Sequence, residues 1–114
     1  MSSRISIYYG RDNPFEVLLT HLDTGEKLTA AEMATITKYE LKYKGTYYNS
    51  IAYPAAFSAD GATAIITIIP STLELPIGSD LTEFIIYSAT YPNGFVCNVF
   101  QLAVLKTATL AVEV

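Results

Sequence analysis

Short runs of β-branched and aromatic residues, each soon cut off by Gly, Pro, Asn or Asp, place the tightest limit on how this chain can fold. Thirty Ile, Val and Thr residues and fourteen Tyr and Phe residues lie within 114 positions. These side chains suit a pleated, half-buried surface. Amphipathic stretches of strong helix formers are nearly missing. The spacing of runs and breaks predicts an all-β sandwich or barrel.

Along the chain, Ile5, Ile7 and Tyr9 alternate with Ser6 and Tyr8, and Phe15, Val17 and Leu19 share one face of a second run. Gly25 in "DTGE" turns the chain. Thr29 followed three residues later by Glu32 forms a capping box, so residues 29–35 are expected to make a short helical crossover between two strands. "TKYELKYKG" then alternates Thr37, Tyr39, Leu41 and Tyr43 with Lys38, Glu40, Lys42 and Lys44. This predicts one buried face and one solvated face whose lysines discourage edge pairing. Pro54 marks an edge, bulge or break, and Asp60-Gly61 reads as a hairpin turn. Ile66 and Ile68 fall on one face and Ile65 and Ile69 on the other. The connection from Pro70 to Asp80 has room for one helical turn. No repeat or linker divides residues 1–114, which are read as one domain.

The last third contains "IIYSATYPNGFVCNVF", residues 85 to 100. Pro92, Asn93 and Gly94 suit the second, third and fourth positions of a type I turn, with Gly94 left-handed in a three-residue hairpin. Both flanks are apolar on both faces. Phe84 and Ile86 are expected in the core, with Ile85 and Tyr87 outside. A terminal run alternates Leu110, Val112 and Val114. The outward set Ile85, Tyr87, Val96, Phe100, Leu110 and Val112 is the candidate partner interface.

Charged residues make up 16% of the chain, against about 25% in an average soluble domain. So few charges favour a surface partly covered by other subunits, and a homo-oligomer is expected. With a net charge of −4 and no dense basic patch, nucleic acid is not an expected partner. Apolar runs are too short for a membrane span, and the opening residues carry no apolar signal core. One cysteine allows no internal disulfide, consistent with synthesis in a cytoplasm.

No convergent chemistry emerges. Cys97 lies among Phe95, Val96, Val99 and Phe100 like a small core residue, and His21 is the only histidine. Asp23-Thr24-Gly25 has the tripeptide of an aspartic-protease aspartate but joins two strands in a polar context, whereas a dyad needs two buried aspartates. No metal or other cofactor is expected. The nine tyrosines, among them Tyr8-Tyr9, Tyr47-Tyr48 and Tyr53, suit either a protein interface or an aromatic platform for sugar.

Asp23, Gly25, Leu28, Thr29 and Ala30, in "NPFEVLLTHLDTGEKLTAAEMATITKYELKYKG", resemble the opening of small immunoglobulin-like modules in bacteriophage structural proteins. The N-terminal domain of phage baseplate upper proteins is one such module. "IIPSTLELPIGSDLTEFIIYSATYPNGFVCNVFQLAVL" is similar to their C-terminal half, with its Gly-containing loop and "P-N-G"-like turn. Where those modules carry "T-G-A", this chain has Thr29-Ala30-Ala31-Glu32, which implies a more helical crossover. The resemblance implies an immunoglobulin-like antiparallel β-sandwich of about seven strands, without catalytic residues. It also implies a place in the virion, as a capsid, tail or baseplate component that binds other virion proteins. A sandwich that binds glycan or a cell surface through exposed tyrosines is the alternative expectation.

Overall fold

The computed structural model describes residues 3–9, 13–21 and 23–105; Leu110, Val112 and the terminal run lie outside them. Among the described residues, eight strands form two packed sheets. The larger holds β1 (Ser3–Tyr8), β8 (Phe95–Leu105), β7 (Gly78–Ser88), β3 (Ile36–Tyr43) and β4 (Thr46–Asn49), in that order. The smaller holds β2 (Phe15–Leu18), β6 (Ile65–Ile68) and β5 (Phe57–Asp60). The architecture is sandwich-like, not a barrel. It differs from the expectation in strand number and in β1, which runs parallel to β8 while the other pairings are antiparallel.

The chain moves from the small sheet to the large one through α1 (Ala30–Ala34), as the capping box predicts. The Glu32 N–H donates to Thr29 Oγ1 at 3.1 Å, and the Thr29 N–H donates to Glu32 Oε1 at 2.9 Å. Two donors that a helix N-terminus leaves free are thereby satisfied. Met33 anchors the turn in the core.

Period-two patterning builds the core. Phe15, Val17, Leu19, Ile66 and Ile68 of the small sheet face Leu41, Tyr43, Phe84, Ile86, Leu102 and Val104 of the large one. Burying one such side chain contributes about 1.5–3 kcal/mol. Phe15 and Phe100 meet edge to face across the sheets, with centroids 6.3 Å apart.

One bulge reorganises β8. Phe84 pairs with Asn98 but Ile85 pairs with Val96, which leaves Cys97 as the extra residue. In an unbroken strand Val96 and Phe100 share a face. Here the bulge turns Val96 outward and Phe100 into the core, where it is 3% exposed. Phe100 is therefore absent from the outward surface on which it was expected.

Three local expectations also change. β3 lies between β7 and β4, so its lysines do not guard an edge, and Glu40 is buried instead of solvated. Asp60 ends β5, and the chain passes through Gly61 to Ala64, where Ala64 and not Gly61 takes positive φ. The β7–β8 connection spans residues 89–94, longer than a three-residue hairpin. Its tip retains the expected turn, closed by the Gly94 N–H donating to the Tyr91 carbonyl.

Candidate functional site

On the outward face of the large sheet, the hairpin folds over part of the expected interface. A Cβ built on Gly94 would lie 2.8 Å from Ile85 Cγ2 and 3.0 Å from Tyr87 Cε2. Ile85 is consequently buried although it points away from the core, and Tyr87 and Val96 are half-buried. The Tyr87 hydroxyl donates to Glu40 Oε1, and the Lys38 ammonium lies 4.1 Å from the centre of the Tyr87 ring. The bond to Glu40 is the main cause that pushes the Tyr87 pKa up to about 12, with burial second. Tyr87 is thus held protonated by its neighbour.

Further along the same face, large apolar groups remain in solvent. Tyr8 on β1, Leu105 on β8 and Leu81 on β7 are 38%, 38% and 55% exposed. The pairings Tyr8–Leu105 and Ser79–Ala103 set them on three adjacent strands around the small side chain of Ala103.

Among the described residues, β1 is also the outer strand of this sheet and the longest of the four edge strands. The Tyr9 N–H donates to the Leu105 carbonyl at 2.8 Å, whereas the Tyr8 N–H donates sideways to Asn13 Oδ1 at 2.7 Å. Alternation along the strand then directs the N–H and C=O groups of Arg4 and Ser6 to the open side. Below β1, where the sheets part, Ile5, Glu16, Leu18, Asn98, Val99 and Phe100 help line a groove of about 310 Å³. Asn98 Oδ1 is buried there and has no hydrogen-bond partner among the described residues.

A second concavity of about 290 Å³ opens where α1 meets the β7–β8 connection. Its lining includes His21, Glu32, Ser88, Thr90, Tyr91 and Phe95. Tyr91 and Phe95 stack with centroids 4.8 Å apart, and the His21 ring meets Phe95 edge-on. His21 Nε2 lies 3.0 Å from Glu32 Oε2. The Thr29 N–H lowers the Glu32 pKa, burial opposes it, and His21 adds to the lowering.

The residues weighed for catalysis are not brought together. His21 engages Glu32, and Asp23 is exposed in its turn. Cys97 is buried, and desolvation pushes its thiol pKa up to about 12, the opposite of an activated nucleophile. Among the described residues, no three His, Cys, Asp or Glu side chains gather as a metal site. Sequence reasoning treated His21 as isolated and missed its pairing with Glu32. The capping box was the available signal, since it fixes where the Glu32 carboxylate lies. Compared with protein-family models and with curated proteins, the chain matches none.

Proposed function

We propose that this chain is a non-enzymatic structural subunit of a virion, an immunoglobulin-like sandwich that binds neighbouring capsid, tail or baseplate proteins and copies of itself. The observation that carries the reading is the β1 edge, which the described residues leave open beside the outward apolar groups Tyr8, Leu81 and Leu105. Edge strands of free-standing proteins are usually blunted by lysine, proline or a bulge. β1, "SRISIY", contains one charge and no proline. The strand order supports the fold part of the reading. β4-β3-β7-β8 facing β2-β6-β5 corresponds to an immunoglobulin C-F-G sheet with an added C′ strand, packed on B-E-D.

Immunogold labelling of purified particles with an antibody to this chain tests the proposal. Labelling at defined positions on intact particles is the expected result; its absence from particles made by a producing host overturns it.

The stacked Tyr91–Phe95 pair favours a second reading, in which the cleft holds a sugar ring against aromatic side chains with His21, Glu32 and Thr90 at its polar rim. A glycan array separates the two readings. A saccharide retained by the wild type and lost in Tyr91→Ala supports the second, and silence across the array removes it.

A further inference from the structure

We infer that the β1 edge is a self-pairing site, where a second copy of this chain adds its own β1 antiparallel about a two-fold axis at Ile5. The inference rests on the assembly reading and names both the partner and the register.

The argument begins with the backbone groups available. Ile5 and Ile7 turn their N–H and C=O groups toward β8, in step with the Tyr9–Leu105 bond. Those of Arg4, Ser6 and Tyr8 point to the open side. Asn13 takes the Tyr8 N–H at 2.7 Å and its side chain occupies the edge there. The open stretch is therefore centred on Arg4 to Ser6.

Two copies meeting isologously must run antiparallel, and each candidate register is defined by the residue at the axis. With Ser6 at the axis, Arg4 falls opposite the partner's Tyr8, whose N–H is already taken. With Arg4 at the axis, two like charges lie directly opposite, which is unfavourable. With Ile5 at the axis, each Arg4 faces the partner's Ser6. The N–H of each then donates to the C=O of the other, so every open group of Arg4 and Ser6 finds a partner. Main-chain complementarity of this kind is the basis of strand addition.

Side chains fit the same register. Arg4 and Ser6 project to the outward face, which keeps the guanidinium in solvent. Ile5 projects to the core side, is half-buried, and lines the groove between the sheets. The two-fold axis brings it against the partner's Ile5, which removes more of its surface from water.

The register is tested by cysteine cross-linking of the full chain. Residues opposite one another at a non-hydrogen-bonded antiparallel position have Cα atoms about 4.5 Å apart, within reach of a disulfide. Ile5→Cys is expected to form a disulfide dimer under mild oxidation, while Ser6→Cys and Ile7→Cys do so far less. The native Cys97 is buried and stays out of the reaction. Ser6→Pro removes an N–H that no described residue of the monomer uses. It is expected to keep its melting temperature while the dimer dissociation constant rises about tenfold or more.

Preferential cross-linking through Ser6→Cys overturns the inferred register. A dimer that Ser6→Pro leaves intact, with no cross-link at Ile5→Cys, overturns the site but leaves the assembly reading standing on another surface. A wild-type chain that sediments as a monomer at all accessible concentrations overturns self-pairing. Particle labelling judges the broader reading independently of all three results.

Discussion

The Tyr87 hydroxyl donates to Glu40 Oε1 at 2.5 Å, between diagonal neighbours on β7 and β3. Glu40 is 5% exposed although its side chain points away from the core. Among the described residues its carboxylate makes no ion pair, so this donor matters more than one hydrogen bond usually does. Tyr87→Phe leaves a buried acceptor without a donor, an expected loss of about 1–3 kcal/mol that chemical denaturation can measure.

The same pair predicts a response to alkaline pH. The folded-state pKa of Tyr87, about 12, lies above its ordinary value of 10.0, first because of the Glu40 bond. A raised pKa adds stability that is fully present below the unfolded value and lost as pH rises through the folded one. Wild-type stability should therefore decline between about pH 10 and 12, where Tyr87→Phe shows a smaller decline from this source. Glu40→Gln should move one tyrosine's ionisation back toward its ordinary range, measured by tyrosinate absorbance. An unchanged titration would show that the Glu40 bond is not the cause.

Gly94 and Gly25 both have positive φ, +95° and +78°, but differ in the space around them. Nothing lies within 4 Å of a Cβ built on Gly25, whereas one on Gly94 meets Ile85 Cγ2 at 2.8 Å. Gly25→Ala is expected to destabilise by about 1 kcal/mol through backbone strain alone. Gly94→Ala adds a steric clash of the kind that costs a further 1–3 kcal/mol or so. Equal melting temperatures for the two variants would contradict this account of how the hairpin covers Ile85.

Much of this fold can be read locally, and the failures share a cause. Phe15–Val17–Leu19 and Ile66–Ile68 display their faces through simple alternation, and Thr29 with Glu32 announces α1. The bulge at Cys97 leaves no mark in the composition of "FVCNVFQ", because apolar residues occupy both faces of the strand around it. A one-residue slip exchanges the faces of a strand. Reading Val96 and Phe100 as companions was therefore unavoidable without the pairing partner. The burial of Glu40 likewise depends on Tyr87, 47 positions away, and on where the hairpin comes to rest. The open side of β1 was not legible either, since it follows from β1 pairing parallel with β8 at the other end of the chain.

Thr29→Ala removes the acceptor for the Glu32 N–H and half of the capping box. The expected loss is about 1 kcal/mol, within the usual range of 0.5–2 for an N-cap. Because α1 also positions Glu32 against His21, the variant should loosen the cleft locally. Faster amide exchange across residues 30–34 and unchanged exchange in β7 would establish that the effect is local. A global rise in exchange would mean that the crossover supports the whole sandwich.

Cys97 offers a readout of opening that needs no added label. Its side chain is fully buried in the bulge of β8, and the Thr20 hydroxyl donates to its carbonyl at 3.3 Å across the gap between β2 and β8. Burial pushes its thiol pKa up to about 12, so thiolate is scarce at neutral pH even where a reagent can reach the sulfur. Alkylation of the native protein should therefore be slow and should track an opening reaction, approaching the rate of a free thiol only on unfolding. Thr20→Val tests which opening matters. If the seam between β2 and β8 is the route, losing the hydroxyl bond should speed labelling several-fold while global stability falls by only about 1 kcal/mol. Labelling that rises only in proportion to global unfolding would show that the bulge stays closed until the whole sandwich opens.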